Sequence, residues 1–573
     1  MKSLDELIPE WRTYAKFEPL YQPLAVAAAG VFVAAYFLTA LPRLFYPYDL
    51  DFVEDSMLMQ ALRFGQGQPV YVQPSVEFAP HVYMPLYPWL GGLIFRVAGP
   101  GFLPLRLLSF SATLITAALI YFIARRESGG ERRVRGERNV RPYGIGFVCA
   151  ALYLGGYRLS GFWYDLARVD SLYVALALAG VALGIYSKRS PGWLASAFVL
   201  ALAFFTKQTG LAFAAGVAIY LFFIIRLQAA LFVAAFAAFT LIPLFAFDAL
   251  GEGWFFYHVF RIASGDPVEA GRLFRYLGPE LIGGMGGLMV MGTAAAIIFL
   301  RRAGWRTIRE RPWLVMILIA IVVSGVGRSS VGGNLNNLMP VYAFLCLAPA
   351  LFWREWRPPS SAVVAIFVIA QFGLGIYNPL RYIPTAEMRQ SGDRLIQKIA
   401  AIDGEVWVMM HPYYAVLAGK EPSAQMATLW YVHEWQGLPF PEDMAERIRA
   451  RYYAAIISDE TLFETDPDLQ SLILDYYSPA ERLDASFSPL APVGFPVRPM
   501  IVYQPRQRRP TGSSPARRRS IGTSLPDCGR SDRCDPAAKC GNLSSPSAPS
   551  SSLLRRKSPC RSPTDPIPPL RSK

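Results

Sequence analysis

The chain has 573 residues, 53% of them hydrophobic and only 17% charged, where soluble domains carry about a quarter charged residues. Its formal net charge of +14 is uneven: residues 506–573 hold 15 Lys/Arg against 4 Asp/Glu, and the preceding residues hold 41 against 38. This composition excludes an ordinary soluble globular protein, and the near-neutral body offers no basic footprint for nucleic acid.

Residues 1–20 mix acids and bases, lack a cleavable-signal pattern and read as a cytoplasmic N-terminal segment. The first apolar run, 21–41, reads as an uncleaved signal anchor. A long loop, 42–102, follows. It carries four carboxylates within seven positions, Asp49, Asp51, Glu54 and Asp55. Next to a membrane span such a cluster is costly unless it meets water or a polar cavity. Within the loop, 52–64 reads as a helix lying on the membrane, with Val53, Met57, Leu58, Ala61 and Leu62 on one face. The segment LYPWLGGLIF (86–95) is too short to span and reads as a second juxtamembrane helix.

The next full span is 103–124. Seven arginines in RRESGGERRVRGERNVRP (125–142) mark the cytoplasmic side. The remaining spans are 143–157, 168–187, 192–206, 209–225, 228–249, 279–300, 312–327, 338–353 and 361–377, about eleven in all. Under this count Lys188, Arg189, Arg226, the run 301–311 and REWR (354–357) all fall inside. The N-terminus is then inside, and the carboxylate loop outside. Residues 378–505 read as a small external α/β domain, with RLIQKIAAI helical and DGEVWVMM and YYAAIISDE as strands. Residues 506–573, rich in Ser, Pro and Arg, read as a disordered tail. Four of the six cysteines lie there, and no metal-ligand or disulfide spacing is visible.

Glu54 and Asp55 are the first candidates for chemistry. Transfer of a sugar from a lipid phosphate needs one general base on the acceptor hydroxyl, and a carboxylate near a partly dry surface has the raised pKa that suits it. Acids also favour helix N-termini, so capping is the competing reading, and the one adopted for Asp49 and Asp51. YDLARVDSLYVAL (164–176) sets Asp165, Arg168 and Asp170 at an outer helix end. Asp165 and Arg168, three apart, are spaced to pair on a helix. Lys207, in FFTKQTG, Arg63 and Arg328 are candidates to clamp a phosphate around one cavity, although snorkelling also explains a Lys at a helix end. His81, Tyr83 and Asn334 complete the substrate- and phosphate-binding candidates, Asn334 with helix capping as its alternative.

These residues carry a resemblance. The acidic pair is followed by Ala61, Phe64, Gly67 and Tyr71, then by YMPLYPWL (83–90) and the Arg-bearing span LPLRLLSFSATL (103–114). The pattern resembles the GT-C superfamily of membrane glycosyltransferases, which includes protein O-mannosyltransferases and lipid A aminoarabinose transferases. The resemblance implies an all-α polytopic fold and an inverting transfer from a polyprenyl-phosphate sugar, with active site on the outer face of the cytoplasmic membrane. It implies a second acid near Asp165 and Asp170, and it allows a divalent cation, since some relatives use one. The partners would be membrane lipid, the lipid-linked sugar, and a glycan, lipid or protein acceptor. Here the acids read Glu-Asp where many relatives have Asp-Glu, which leaves open which is the base. A transporter or flippase of a lipid-linked sugar, or a non-catalytic scaffold of this fold, is the alternative.

Overall fold

Backbone amides in lipid must be satisfied within the segment, so apolar runs of this length form helices. The computed structural model describes residues 18–129, 143–187, 189–265, 267–356, 362–436, 438–459, 467–487, 489, 492–494 and 497–507. They belong to one compact unit ending at Gln507. Nearly all of the expected cytoplasmic segment and of the expected disordered tail lies outside the described residues, as does most of the arginine-rich loop.

Among the described residues, eight helices are long and apolar enough to cross a membrane: Gln22–Leu44, Phe102–Glu127, Val169–Tyr186, Arg226–Leu250, Ala270–Ala303, Pro312–Ser329, Leu335–Trp356 and Ala362–Arg381. Three more expected spans are shorter apolar helices, Gly144–Gly155, Ser190–Thr206 and Gly210–Phe222. Each of the eleven apolar runs thus lies on a helix. The protein is an integral membrane protein. Polar side chains tie the helices together, as Ser196 Oγ does to the Gly180 carbonyl at 2.7 Å and Thr113 Oγ1 to the Tyr164 carbonyl at 2.8 Å.

The ends carrying the expected inner bases meet one another. Arg354 bonds Glu127 at 2.9 Å, Tyr186 donates to the same carboxylate at 2.8 Å, and Arg311 pairs with Glu355. The carboxylate loop makes its contacts with different helix ends.

Two helices lie in that loop, Phe52–Gly65 and Leu86–Ala98. They pack closely because Gly92 has no side chain: a Cβ there would stand 2.7 Å from Gly65 N and 2.8 Å from the Ala61 carbonyl. The C-terminal part builds a four-stranded sheet in the order β1-β2-β4-β3 from Val406–Val408 (β1), Ala455–Asp459 (β2), Tyr477–Arg482 (β3) and Pro499–Pro505 (β4). β1 and β2 are parallel, with Trp407 opposite Ile456; β4 runs antiparallel to both β2 and β3. The sheet's surroundings reach the carboxylate loop. Ala424 N donates to the Val76 carbonyl at 2.7 Å, Val76 N to Asp443 at 2.9 Å, and Gln425 Nε2 to the Phe52 carbonyl at 2.7 Å.

Candidate functional site

The helix Phe52–Gly65 starts at Asp51, whose Oδ1 accepts from Val53 N at 3.1 Å. This is the N-cap that a carboxylate favours. The same Oδ1 accepts a second bond, from Arg168 Nη1 at 2.6 Å. Arg168 lies 4.0 Å over the Trp163 ring, donates from Nη2 to Tyr83 Oη at 2.9 Å, and stands 3.5 Å from Asp170. Asp170 Oδ1 in turn accepts from Lys207 Nζ at 2.8 Å and Asn336 Nδ2 at 3.0 Å, and Lys207 also donates to Asn337 Oδ1 at 3.0 Å. Two acids and two cations from three regions of the chain thus form one continuous network, at the ends of the helices Val169–Tyr186 and Ser190–Thr206.

Asp51 is buried, and among the described residues its Oδ2 has no hydrogen-bond partner. Burial pushes its carboxyl up to about 6, against the pull of Arg168. His81 stacks on Tyr83, with ring centroids 4.6 Å apart. Its Nδ1 accepts from Val82 N at 3.0 Å, so a neutral ring carries its proton on Nε2, and that nitrogen has no partner among the described residues. Burial, and then the charge of Arg168, hold His81 down at about 3. An unpaired acceptor and an unpaired donor therefore stand in one buried network, where such groups are costly unless something fills them.

Glu54 is placed differently from expectation. Its Oε1 accepts from Arg106 Nε at 2.9 Å and Ala167 N at 2.7 Å, and its Oε2 from Arg106 Nη2 at 2.6 Å and Leu50 N at 2.7 Å. A carboxylate has about four lone-pair sites, and all are taken, so nothing is left to receive a proton. Asp55 has both oxygens 3.2 Å from Tyr413 N, and burial beside Asp49 holds its carboxyl well above the usual range.

The expected Asp165–Arg168 pair does not form, because residues 156–168 make turns rather than a helix. Asp165 instead meets Arg43 at 3.1 Å and accepts from Tyr157, while Arg43 also donates to Tyr157 and to the Phe162 carbonyl. Of the three cations expected around one cavity, only Lys207 joins the network. Arg63 donates to the Pro69 carbonyl at 3.0 Å and lies over Phe78. Arg328 is paired with Glu280 at 2.6 Å. Asn334 caps Leu335–Leu338 by accepting from Leu335 N; its neighbours Asn336 and Asn337 face the network in its place. Sequence reasoning took Asp51 as a cap, which it is, without its bond to Arg168, and noted the arginine of LPLRLLSFSATL, Arg106, without its pairing to Glu54. Among the described residues no three His, Cys, Asp or Glu are grouped to hold a metal ion. An apolar groove of about 710 Å³ runs beside the loop, lined by Leu44, Phe102, Leu103, Leu107, Leu108 and Tyr413 among others.

No family model matches the sequence, and no curated protein matches it. Solved structures do. The crystal structure of ArnT from Cupriavidus metallidurans bound to undecaprenyl phosphate superposes with a TM-score of 0.54 at 13% identity, over 84% of this chain and 98% of that one. This is the GT-C fold. The apo form of that ArnT gives 0.52 over the same shares. The oligosaccharyltransferase of Archaeoglobus fulgidus gives 0.47 at 11% identity, over 81% of this chain and 71% of that one. In the GT-C fold seen here, the described residues cover the juxtamembrane loop, the helix ends that meet it and the sheet that closes over it.

Proposed function

We propose that this protein is an inverting membrane glycosyltransferase. It moves a sugar from a polyprenyl-phosphate carrier to an acceptor hydroxyl at the outer face of the cytoplasmic membrane, with Asp51 as the general base. The observation that carries the reading is the state of Asp51: one oxygen pinned by Arg168 and Val53 N, the other unpaired, and a carboxyl near 6. A base with a pKa near the working pH is the efficient one.

The acceptor oxygen attacks the anomeric carbon from the face opposite the phosphate. The bond from that carbon to the phosphate oxygen breaks, its electron pair leaves with the lipid phosphate, and the hydroxyl proton passes to Asp51 Oδ2 once the acceptor has displaced Gly494 from that oxygen. Lys207 has three N–H donors, of which Asp170 and Asn337 take two; the third serves a phosphate oxygen. His81 Nε2–H is a neutral donor for a sugar or acceptor oxygen. Glu54, Asp55 and Asp165 hold the loop in place, and Asp170 orients Arg168 and Lys207. The outer-face assignment is supported by the arginines at the opposite helix ends, and the lipid-phosphate donor by the undecaprenyl phosphate in the ArnT structure of this fold.

The test uses the full chain in detergent with radiolabelled polyprenyl-phosphate sugars and counts polyprenyl phosphate released. Wild type releases it and Asp51→Asn does not. Wild-type turnover in Asp51→Asn removes Asp51 from the mechanism, and no turnover with any donor removes the reading itself.

A further inference from the structure

The loop that carries Asp51 is gripped from the side of the C-terminal sheet at three successive residues. Gly494, at φ +71°, lies over Asp51 so closely that a Cβ would come within 1.8 Å of Oδ2. Val493 N donates to the Leu50 carbonyl at 3.2 Å. The third contact, at Asp49, is a histidine. His411 follows β1, and its Nδ1 stands 3.1 Å from Asp49 Oδ2. Its Nε2 bonds Asp459 Oδ2, at the end of β2, at 3.0 Å. Tyr414 lies flat against the imidazole, with ring centroids 5.0 Å apart, and donates its hydroxyl to Asp49. His411, Asp49 and Asp459 are all buried.

Ionised carboxylates only accept. A neutral imidazole between two of them turns a lone pair towards one, whereas an imidazolium hydrogen-bonds Asp459 through Nε2 and stands at ion-pair distance from Asp49 at Nδ1. We infer that His411 is a positioning residue: an imidazolium held between Asp49 and Asp459 that fixes the 46–51 loop, and with it Asp51, against the C-terminal sheet. This rests on the reading of Asp51 as the base.

Burial disfavours the charged ring, but the two carboxylates outweigh it and hold His411 well above the usual histidine value. The other titratable groups facing the cluster are Asp55, Tyr414, Tyr46 and Arg106. Burial, and then the charge of Asp49, raise the Asp55 carboxyl well above the usual carboxylate range. Tyr414 and Tyr46 are pushed up by burial next to Asp49, and Arg106 favours the Asp49 carboxylate. The folded state binds the His411 proton more tightly than the unfolded state does. Its contribution is therefore complete below the ordinary value near 6.5, persists through neutral pH, and is lost as pH rises through the raised folded value. Asp49 is held below its ordinary value by His411 and the bonds it accepts. Its contribution is present above about 4 and is lost as pH falls through the folded value.

The chain has four histidines, so each ring can be assigned by single substitution in the ¹⁵N-histidine-labelled full chain. At pH 7.5 the His411 ring is expected to show two protonated nitrogens, a signature absent in His411→Gln. Hydrogen exchange over 46–51 is expected to rise at least tenfold in His411→Gln and in Asp459→Asn, with exchange in Met339–Leu345 unchanged. Asp459→Asn keeps an acceptor opposite Nε2 and serves as the second variant if His411→Gln does not fold. A neutral ring at pH 7.5, unchanged exchange in the loop, or a uniform rise in all peptides overturns the inference. Where wild type turns over a labelled polyprenyl-phosphate sugar, Asp459→Asn lowers kcat about tenfold and leaves KM unchanged. A protein that shows the charged ring and the loop effect but turns over no donor refutes the enzymatic reading alone. An active protein with a neutral His411 refutes the bridge alone.

Discussion

Arg106 and Glu54 form a closed pair: two bonds join them at 2.9 and 2.6 Å, and both side chains are fully buried. The guanidinium spends its remaining donors on the carbonyls of Arg43, Tyr46 and Tyr48. The pair therefore ties the helix Phe102–Glu127 to both sides of the carboxylate loop. Removing one partner of a buried ion pair costs on the order of 3–5 kcal/mol. Glu54→Gln and Arg106→Met are each expected to lower the melting temperature of the detergent-purified protein strongly. Their double variant is expected to lose clearly less than the two losses added together. Additive losses in the cycle would mean that the two side chains do not act as a pair.

Asp51→Asn removes the same loop's candidate base and the charge opposite Arg168, which keeps Asp170 at 3.5 Å as its partner. Asparagine caps a helix as well as aspartate does, so Phe52–Gly65 keeps its start. Loss of a general base lowers turnover about 10²–10⁴-fold. The rate in wild type is expected to climb with pH through about 6, as Asp51 ionises, and to level above it. The stability effect has the opposite sign. A carboxyl raised on folding binds its proton more tightly in the folded state, so this group stabilises most below the ordinary value near 4 and loses that contribution as pH rises through about 6. A pH–rate profile without an inflection near 6 would sink the assignment.

The frame was legible in the sequence because lipid leaves the backbone few options. Apolar runs of membrane length became helices, and among the described residues the expected inner bases Arg311 and Arg354 pair with Glu355 and Glu127. The carboxylate loop was legible for a related reason, since four acids beside a span need a polar partner. Which acids keep an oxygen without a hydrogen-bond partner was not legible. The partners that saturate Glu54 come from Arg106 and Ala167, and the one that holds Asp55 from Tyr413. Those separations run from 52 to 358 residues, and no local spacing encodes them. Asp51 did show its local half, the cap on Val53, which concealed its role toward Arg168. The pairing of Asp165 with Arg168 failed because a helix-spacing rule was applied to a stretch of turns.

Three cations should respond differently to removal. Lys207→Met is expected to weaken binding of undecaprenyl phosphate about 10–100-fold, the range for one charge-assisted bond. Arg63→Ala leaves binding unchanged, since Arg63 is spent on the Pro69 carbonyl and the Phe78 ring. Arg328→Ala strands Glu280 and lowers the melting temperature without a selective effect on the lipid. Ligand-induced thermal shifts on the four proteins measure all of this together. Equal shifts in wild type and Lys207→Met would remove Lys207 from the phosphate site.

His81 offers the sharpest contrast, because its two nitrogens do different work. Asparagine can place an acceptor near the Nδ1 position and so keep the bond from Val82 N, but it has nothing at Nε2. Glutamine can place a donor near Nε2. If the unpaired Nε2–H serves substrate, His81→Asn loses about 10–100-fold in turnover, while His81→Gln retains most of it. Both variants lose the stack on Tyr83 equally, so that contact cancels in the comparison. Since His81 is held at about 3, the ring stays neutral from pH 5 upward, and it adds no inflection to the pH–rate profile there. Equal losses in the two variants would assign His81 to packing alone.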